Sequence, residues 1–221
     1  MPEPLALGVL LSGSGTNLQA LIDAIGAGAL DARIAVVVSN VAEAGGLERA
    51  RRCGLPAVVL RHGDAPSREA YDARLVETLH AHGVGLVVLA GFMRLVTTVL
   101  LEAFPTRVVN VHPALLPAFP GLHAERRALA HGARITGVTV HFVDEKTDHG
   151  PILAQVAVPI LPGDTEETLH ARIQRQEHRL YPFAIQLIAA GRVRVDGRRV
   201  IVRNATFAAD AALASPALPI T

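Results

Sequence analysis

The feature that most constrains this chain is a regular alternation in its first half. Short, continuously apolar runs are separated by stretches of helical pattern. Ala6–Leu11, Arg33–Ser39, Ala57–Leu60, Gly85–Ala90 and Arg107–Val111 read as strands. Helical patterns fall at about Asn17–Ile25, Ala44–Cys53 and Arg68–His82, the last with Tyr71, Leu75 and Leu79 on one face. A strand that is apolar at successive positions is buried on both faces, and helices between such strands supply the cover. Right-handed crossovers then lead to one architecture, a Rossmann-like, doubly wound, mostly parallel α/β sheet.

The second half has a different texture. His112–Gly121 (HPALLPAFPG) holds three prolines and reads as an irregular loop. A helix is expected near His123–Ala130. Thr136–Val143 alternates, Ile152–Ile160 follows, and the pair predicts an antiparallel extension of the sheet. Asp164 with Glu167 suggests a capping box for a long helix reaching about Ala190, kinked at Pro182. Val193–Val195 and Val200–Val202 around Asp196-Gly197 predict a final hairpin. Residues 1–204 are expected to form a single domain, with 205–221 as an exposed, Ala/Pro-rich tail.

Composition narrows the classes of function. Half of the 221 residues are hydrophobic, 19% are charged and the formal net charge is +1. A chain of this size buries enough surface to fold without staples, and a near-neutral balance gives no electrostatic reason to expect nucleic acid or an anionic membrane. Cys53 is the one cysteine, so neither an internal disulfide nor a thiolate metal cluster is available. Leu5–Leu11 is preceded by no Lys or Arg and followed by no cleavage pattern, and Val84–Met93 is too short to span a bilayer. A cytoplasmic setting is expected.

Four segments carry chemistry. Ser12-Gly13-Ser14-Gly15-Thr16-Asn17 joins the first strand to the first helix. Backbone N–H groups there can cradle a phosphate, or the segment is a tight turn with no ligand. No Gly-Lys-Ser/Thr follows, and strand two ends in Ser39-Asn40 with no ribose-binding acid, so neither a Walker loop nor an NAD fingerprint fits. Asn110 and His112 lie two apart at the end of the fifth strand and so point the same way. Together they can address one developing oxyanion, or they merely bond loop backbone. Asp148, in Asp148-His149-Gly150-Pro151, can tune His112 or relay protons, or it makes an Asx turn. His141 reads as a satisfied core or supporting histidine. No His-Glu-x-x-His pattern occurs, and no metal is expected. Gly91-Phe92-Met93-Arg94-Leu95 can hold a flat heteroaromatic ring or can be an ordinary helix entry.

Taken together, LLSGSGTNLQALIDA, VVVSN, GLERAR, SREAYD, VVLAGFMR, VVNVHPALLPAFPGLH, GVTVHFVDEKTDHGPIL and QEHRLYP resemble the folate-dependent formyltransferases. The resemblance runs from about residue 7 to 183, and the loop ending in Asn-Leu-Gln is similar to the glycinamide ribonucleotide branch. It implies the formyltransferase fold, with Asn110, His112 and Asp148 as the catalytic group. It implies Gly15, Thr16, Asn17, Gln174 and Glu177 as residues that bind the ribonucleotide. For 10-formyltetrahydrofolate, the co-substrate, it implies Arg68, Met93, Arg94, Leu95, Val96, Asn110 and the Val143–Asp148 loop with Asp144. His149 stands where relatives often carry a small residue.

The implied reaction is attack of the glycyl amine on the formyl carbon, with neither metal nor covalent enzyme intermediate. Its partners would be those two small molecules, acting on a monomer or homodimer. Three other readings compete. Hydrolysis of 10-formyltetrahydrofolate would leave the phosphate loop without purpose. Formylation of a transfer RNA would need a further domain and a basic surface. A non-catalytic nucleotide-binding module would leave the Asn110, His112 and Asp148 coincidence unexplained.

Overall fold

In the computed structural model, residues 3–206 and 213–215 are described. Most of the tail expected from residue 205 lies outside them. The main sheet has seven strands: β1 (Leu5–Leu11), β2 (Ala32–Ser39), β3 (Ala57–Val59), β4 (Leu86–Leu89), β5 (Val108–His112), β6 (Ile135–Phe142) and β7 (Ile152–Pro159). Their order is β3-β2-β1-β4-β5-β6-β7. The first five pair in parallel, and β5–β6 and β6–β7 pair antiparallel. This is the doubly wound sheet with the expected antiparallel extension.

Among the described residues six α-helices accompany the strands: α1 (Thr16–Gly26), α2 (Gly45–Arg52), α3 (Arg68–Ala81), α4 (Thr98–Ala103), α5 (Ala124–His131) and α6 (Glu166–Ala189). Alternate residues of a strand face opposite sides. Leu7, Val9 and Leu11 of β1 join the core under α1, α2, α5 and α6. Ala6 and Leu10 join the second core, where Tyr71, Leu75 and Leu79 of α3 and Leu100 of α4 pack. The hairpin β8 (Val193–Asp196) and β9 (Arg199–Val202) forms a separate two-stranded sheet. No helix among the described residues is long and apolar enough to cross a membrane.

Two local expectations need correction. Helix α4 had no counterpart in the sequence reading, because Thr97-Thr98-Val99 is a β-branched run with weak helical signal. The cap of α6 is Thr165, whose hydroxyl accepts from Thr168 N while Thr168 Oγ1 accepts from Thr165 N. Asp164 stands one residue before that cap, where its carboxylate takes Arg172 at 2.6 and 2.8 Å, Leu161 N–H at 2.7 Å and the Thr168 hydroxyl at 2.9 Å. Pro182 lies inside α6, which runs on as one helix to Ala189.

The sheet order fixes where a ligand fits. Between β1 and β4 the winding reverses, and ligands of such sheets lie beyond the carboxyl ends of the strands at that switch. The Gly/Ser loop leaves β1 at this point and the Gly91–Val96 segment leaves β4 beside it. Ser12 N donates to Gly91 O at 3.0 Å. Ser12 Oγ accepts from Met93 N at 2.9 Å and donates to Asn40 Oδ1 at 2.6 Å.

Candidate active site

Asn110 and His112 occupy the end of β5, and the Val143–Gly150 loop brings Asp148 over them. Asp148 Oδ2 lies 3.2 Å from His112 Nδ1 and accepts from Gly121 N–H at 2.7 Å. Asp148 Oδ1 lies 3.4 Å from Asn110 Nδ2 and 3.6 Å from His141 Nε2. Asn110 Nδ2 is also 3.3 Å from His141 Nε2, and His141 Nδ1 is 2.9 Å from Phe142 O. His141 Nδ1–H donates to Phe142 O, and its Nε2 faces both Asn110 Nδ2 and Asp148 Oδ1, donating to the carboxylate when it carries a proton. Burial pushes the Asp148 carboxyl up, but the His141 bond, the His112 charge and Gly121 N–H outweigh it, and the group stays below the usual carboxylate range.

His112 is buried and its second nitrogen is also engaged: Nε2 lies 2.9 Å from Phe119 O. Both ring nitrogens thus face oxygen acceptors, and an imidazolium supplies a proton to each. Asn110 is the more open of the pair, being only half-buried. The sequence pattern had no signal for Phe119 O or Gly121 N–H, because both are backbone atoms of the proline-rich loop. That loop is pinned from behind by Thr139, whose hydroxyl donates to Ala114 O and accepts from Leu116 N, and by Gln155, which donates to Leu116 O.

The residues expected at the ribonucleotide site meet across the length of the chain. Asn17 Nδ2 donates to Glu177 Oε2 at 3.0 Å, and Gln174 Nε2 donates to Thr16 Oγ1 at 3.2 Å. Gly15 adopts φ 73° at the start of α1, and a Cβ there would sit 2.5 Å from Gly46 Cα on α2. Glycine is thus required at Gly15 by both backbone angle and helix packing. Glu177 and Asn17 are buried, burial raises the Glu177 carboxyl, and Asn17 Oδ1 has no hydrogen-bond partner within the protein. An unpartnered buried polar atom fits a site that receives a polar ligand.

The residues expected at the folate site are arranged differently from one another. Met93 and Leu95 are exposed, at 65% and 56%, and offer apolar side chains at the cleft rim. Arg94 lies 5.0 Å over the Tyr71 ring, and Val96 is half-buried. Arg68 Nη2 donates to Leu95 O at 3.0 Å, so its visible work is to hold the loop. Asp72 was not anticipated: it is buried and accepts from Thr97 N and Oγ1 at 2.5 and 2.8 Å, tying the same loop to α3. Val143 N donates to Val108 O, and Asp144 accepts from Lys146 N at 3.0 Å. No group of three or more His, Cys, Asp and Glu side chains suited to a metal gathers among the described residues.

A doubly wound sheet with an Asn, His and Asp cluster beyond β5 and a glycine loop beyond β1 defines an α/β group-transfer type of site. Comparison with known proteins makes this particular. Residues 6–185 match the formyl transferase family. The phosphoribosylglycinamide formyltransferase of Escherichia coli (strain K12) is 42% identical over 199 residues, 87% of this chain and 94% of that protein. A crystal structure of glycinamide ribonucleotide transformylase 1 from Symbiobacterium toebii is 54% identical, with a TM-score of 0.90, covering 91% of this chain and 95% of that one. The trifunctional purine biosynthetic protein adenosine-3 of Drosophila pseudoobscura pseudoobscura is 50% identical over 188 residues, 84% of this chain. This chain spans only 14% of that protein's length. The chain belongs to the formyl transferase family, in its phosphoribosylglycinamide formyltransferase branch.

Proposed function

We propose that the chain transfers the formyl group of 10-formyltetrahydrofolate to the amine of 5-phosphoribosylglycinamide, a step of purine synthesis, using residues 1–204 as one formyltransferase domain. The observation that carries the assignment of roles is the convergence of Asn110, His112 and His141 on the Asp148 carboxylate. The formyl donor supplies an activated one-carbon acyl group. Exposed Met93 and Leu95, beside backbone groups of the Gly91–Val96 loop, suit the faces and edge of a flat ring. The start of α1 suits the phosphate, and Glu177 with Gln174 suits the remainder of the ribonucleotide.

In this reading Asn110 donates to the oxygen that gains charge as the amine adds to the formyl carbon. His112 supplies a second donor when its Nε2–H exchanges the Phe119 carbonyl for that oxygen. Asp148 is ionised as the amine adds, with its negative charge on the other side of the His112 ring, and is free to take a proton as the adduct collapses. A proton from the attacking amine then has a route through His112 and Asp148 toward the departing nitrogen. Burial around His112 strengthens each of these interactions relative to water.

The test is a steady-state assay with glycinamide ribonucleotide and a 10-formyl folate, following loss of the formyl donor with and without the ribonucleotide. Donor consumption that requires the ribonucleotide supports transfer. Equal consumption in its absence would make the chain a hydrolase, and none in either case would leave a binding module.

A further inference from the structure

We infer that the C-terminal β8–β9 hairpin is part of the active-site support: through Arg198 it holds His149, and through His149 it holds the loop bearing Asp144 and Asp148. Arg198 and His149 are thereby positioning residues for use of the formyl donor, an assignment that rests on the formyl-transfer reading above.

The contacts form a continuous chain. Arg198 sits in the hairpin turn, and its Nη1 donates to His149 O at 2.6 Å. The same nitrogen lies 3.0 and 3.2 Å from His149 Nδ1 and Nε2. His149 Nδ1 in turn is 2.7 Å from Asp144 Oδ2, and Asp144 Oδ1 accepts from Lys146 N. With Nδ1–H pointing to Asp144, the Nε2 lone pair is left to accept from Arg198 at 3.2 Å.

The loop has reason to need such a brace. Its neck is closed at Gly150, where a Cβ would stand 1.9 Å from Phe142 O. Asp148 itself adopts φ 48°, a left-handed conformation that costs a non-glycine residue energy and persists only where the surroundings impose it. The Asp148 carboxylate is fixed from inside by Gly121 N–H and His112. The backbone that follows it is fixed from outside by Arg198 and Asp144, through His149. The brace is itself well founded: Val193, Val195, Val200 and Val202 pack against the main core, and Arg192 and Arg203 exchange bonds across the base of the hairpin.

Stability is a poor account of this arrangement. The side chains of His149 and Asp144 are 43% and 33% exposed, and exposed pairs of this kind contribute little to folding. What the contacts determine is the position of a loop between the hairpin and the catalytic carboxylate. Neither residue was singled out for this by sequence pattern, since 49 positions separate them.

The experiment compares the full-length wild type with Arg198→Ala, Arg198→Lys, His149→Gly and the double variant Arg198→Ala/His149→Gly. KM and kcat are measured for each substrate separately, with a thermal melt of every protein. Arg198→Ala is expected to raise KM for the 10-formyl folate about tenfold, the scale of one lost charge-assisted bond, with KM for the ribonucleotide unchanged. Arg198→Lys should recover part of that loss, because it retains a cationic donor. The double variant should lose no more than the larger single effect, since both act through one chain of contacts. An active wild type whose variants keep wild-type constants would overturn the inference alone. A uniform rise in both KM values with a matching fall in melting temperature would overturn it as well, leaving the hairpin a purely structural element. A wild type without transfer activity would refute the functional reading and this inference with it.

Discussion

Asp148→Asn isolates the charge at the centre of the site, and the structure fixes how the amide must sit. Gly121 N–H donates to Oδ2 at 2.7 Å, so an NH2 group in that place would set donor against donor. The new carbonyl oxygen therefore takes the Oδ2 position, where it still faces His112 Nδ1. The NH2 takes the Oδ1 position, opposite the Asn110 amide and His141 Nε2. Shape survives, His112 loses its negative neighbour, and Asn110 meets a competing donor. Loss of one oxyanion-stabilising element costs roughly 3–4 kcal/mol, so kcat should fall by about two to three decades. Asp148 titrates below its ordinary value in the folded protein, so its contribution to stability is present above the unfolded value of 3.8 and is lost as pH falls through the folded one. Wild type and variant should accordingly differ in melting temperature at pH 7 and converge in acid. The assay is initial-rate formyl transfer from pH 5 to 9 with a melt at each pH. Turnover within threefold of wild type in a folded variant would refute the argument and reduce Asp148 to shaping its loop.

Gly15→Ala forces a side chain into a left-handed backbone at φ 73° and against Gly46 Cα, a strain of about 1–2 kcal/mol before α2 moves. Calorimetric titration should show weakened ribonucleotide binding and unchanged folate binding; equal loss of both would contradict the separate placement of the two ligands. Glu177→Gln removes a buried carboxylate whose pKa is raised, so at pH 8 it should melt no lower than wild type while binding the ribonucleotide more weakly. A markedly lower melt would show that the Glu177 charge stabilises the fold. Glu125→Gln breaks the 2.8 Å pair with His170 that joins α5 to α6. Glu125 is lowered and His170 raised, so the pair stabilises between the unfolded values of 4.5 and 6.5 and fades as pH rises through the folded His170 value. The His170 side chain is half exposed, so the melt at pH 6 should drop by an amount worth under about 1 kcal/mol, with no difference at pH 9.

How much of this was legible in the sequence follows the physics of each element. The central strands announce themselves because burial on both faces demands unbroken apolar runs, as in Ala35–Val38 of β2. Asn110 and His112 were legible because a two-residue spacing on a strand has one geometric meaning. Asp148 was legible as a carboxylate in a Gly/Pro loop. Gln174 and Glu177 were reached through resemblance alone, because a polar residue on a long helix gives no hint of what it meets 158 or 160 positions away. Helix α4 was hidden by its β-branched opening, and the α6 cap was misplaced by one residue because Asp164 and Thr165 are both good caps in isolation. What separates them is the bond that Thr165 Oγ1 accepts from Thr168 N, while the Asp164 carboxylate is taken by Arg172 and Leu161 N–H.

The deeper limit concerns groups that carry no sequence signal. Phe119 O and Gly121 N–H set the partners of His112 and Asp148, yet any residue could furnish those backbone atoms. Their position changes how the proposed catalytic pair must be understood. The pattern Asn-x-His left two readings, donors aimed at one oxyanion or side chains bonded to loop backbone. The structure instead has His112 spending one nitrogen on Asp148 and the other on a loop carbonyl, while the Asn110 amide, though more exposed, lies 3.4 Å from Asp148 Oδ1 and 3.3 Å from His141 Nε2. A donor already bonded within the protein can serve an oxyanion only by exchange, so in the proposed transfer the proline-rich loop enters the energetics of the transition state as a competitor for His112. On that proposal the fixed contacts of Thr139 and Gln155 behind the loop bear on rate as well as on folding, since they hold the loop that carries the competing carbonyl.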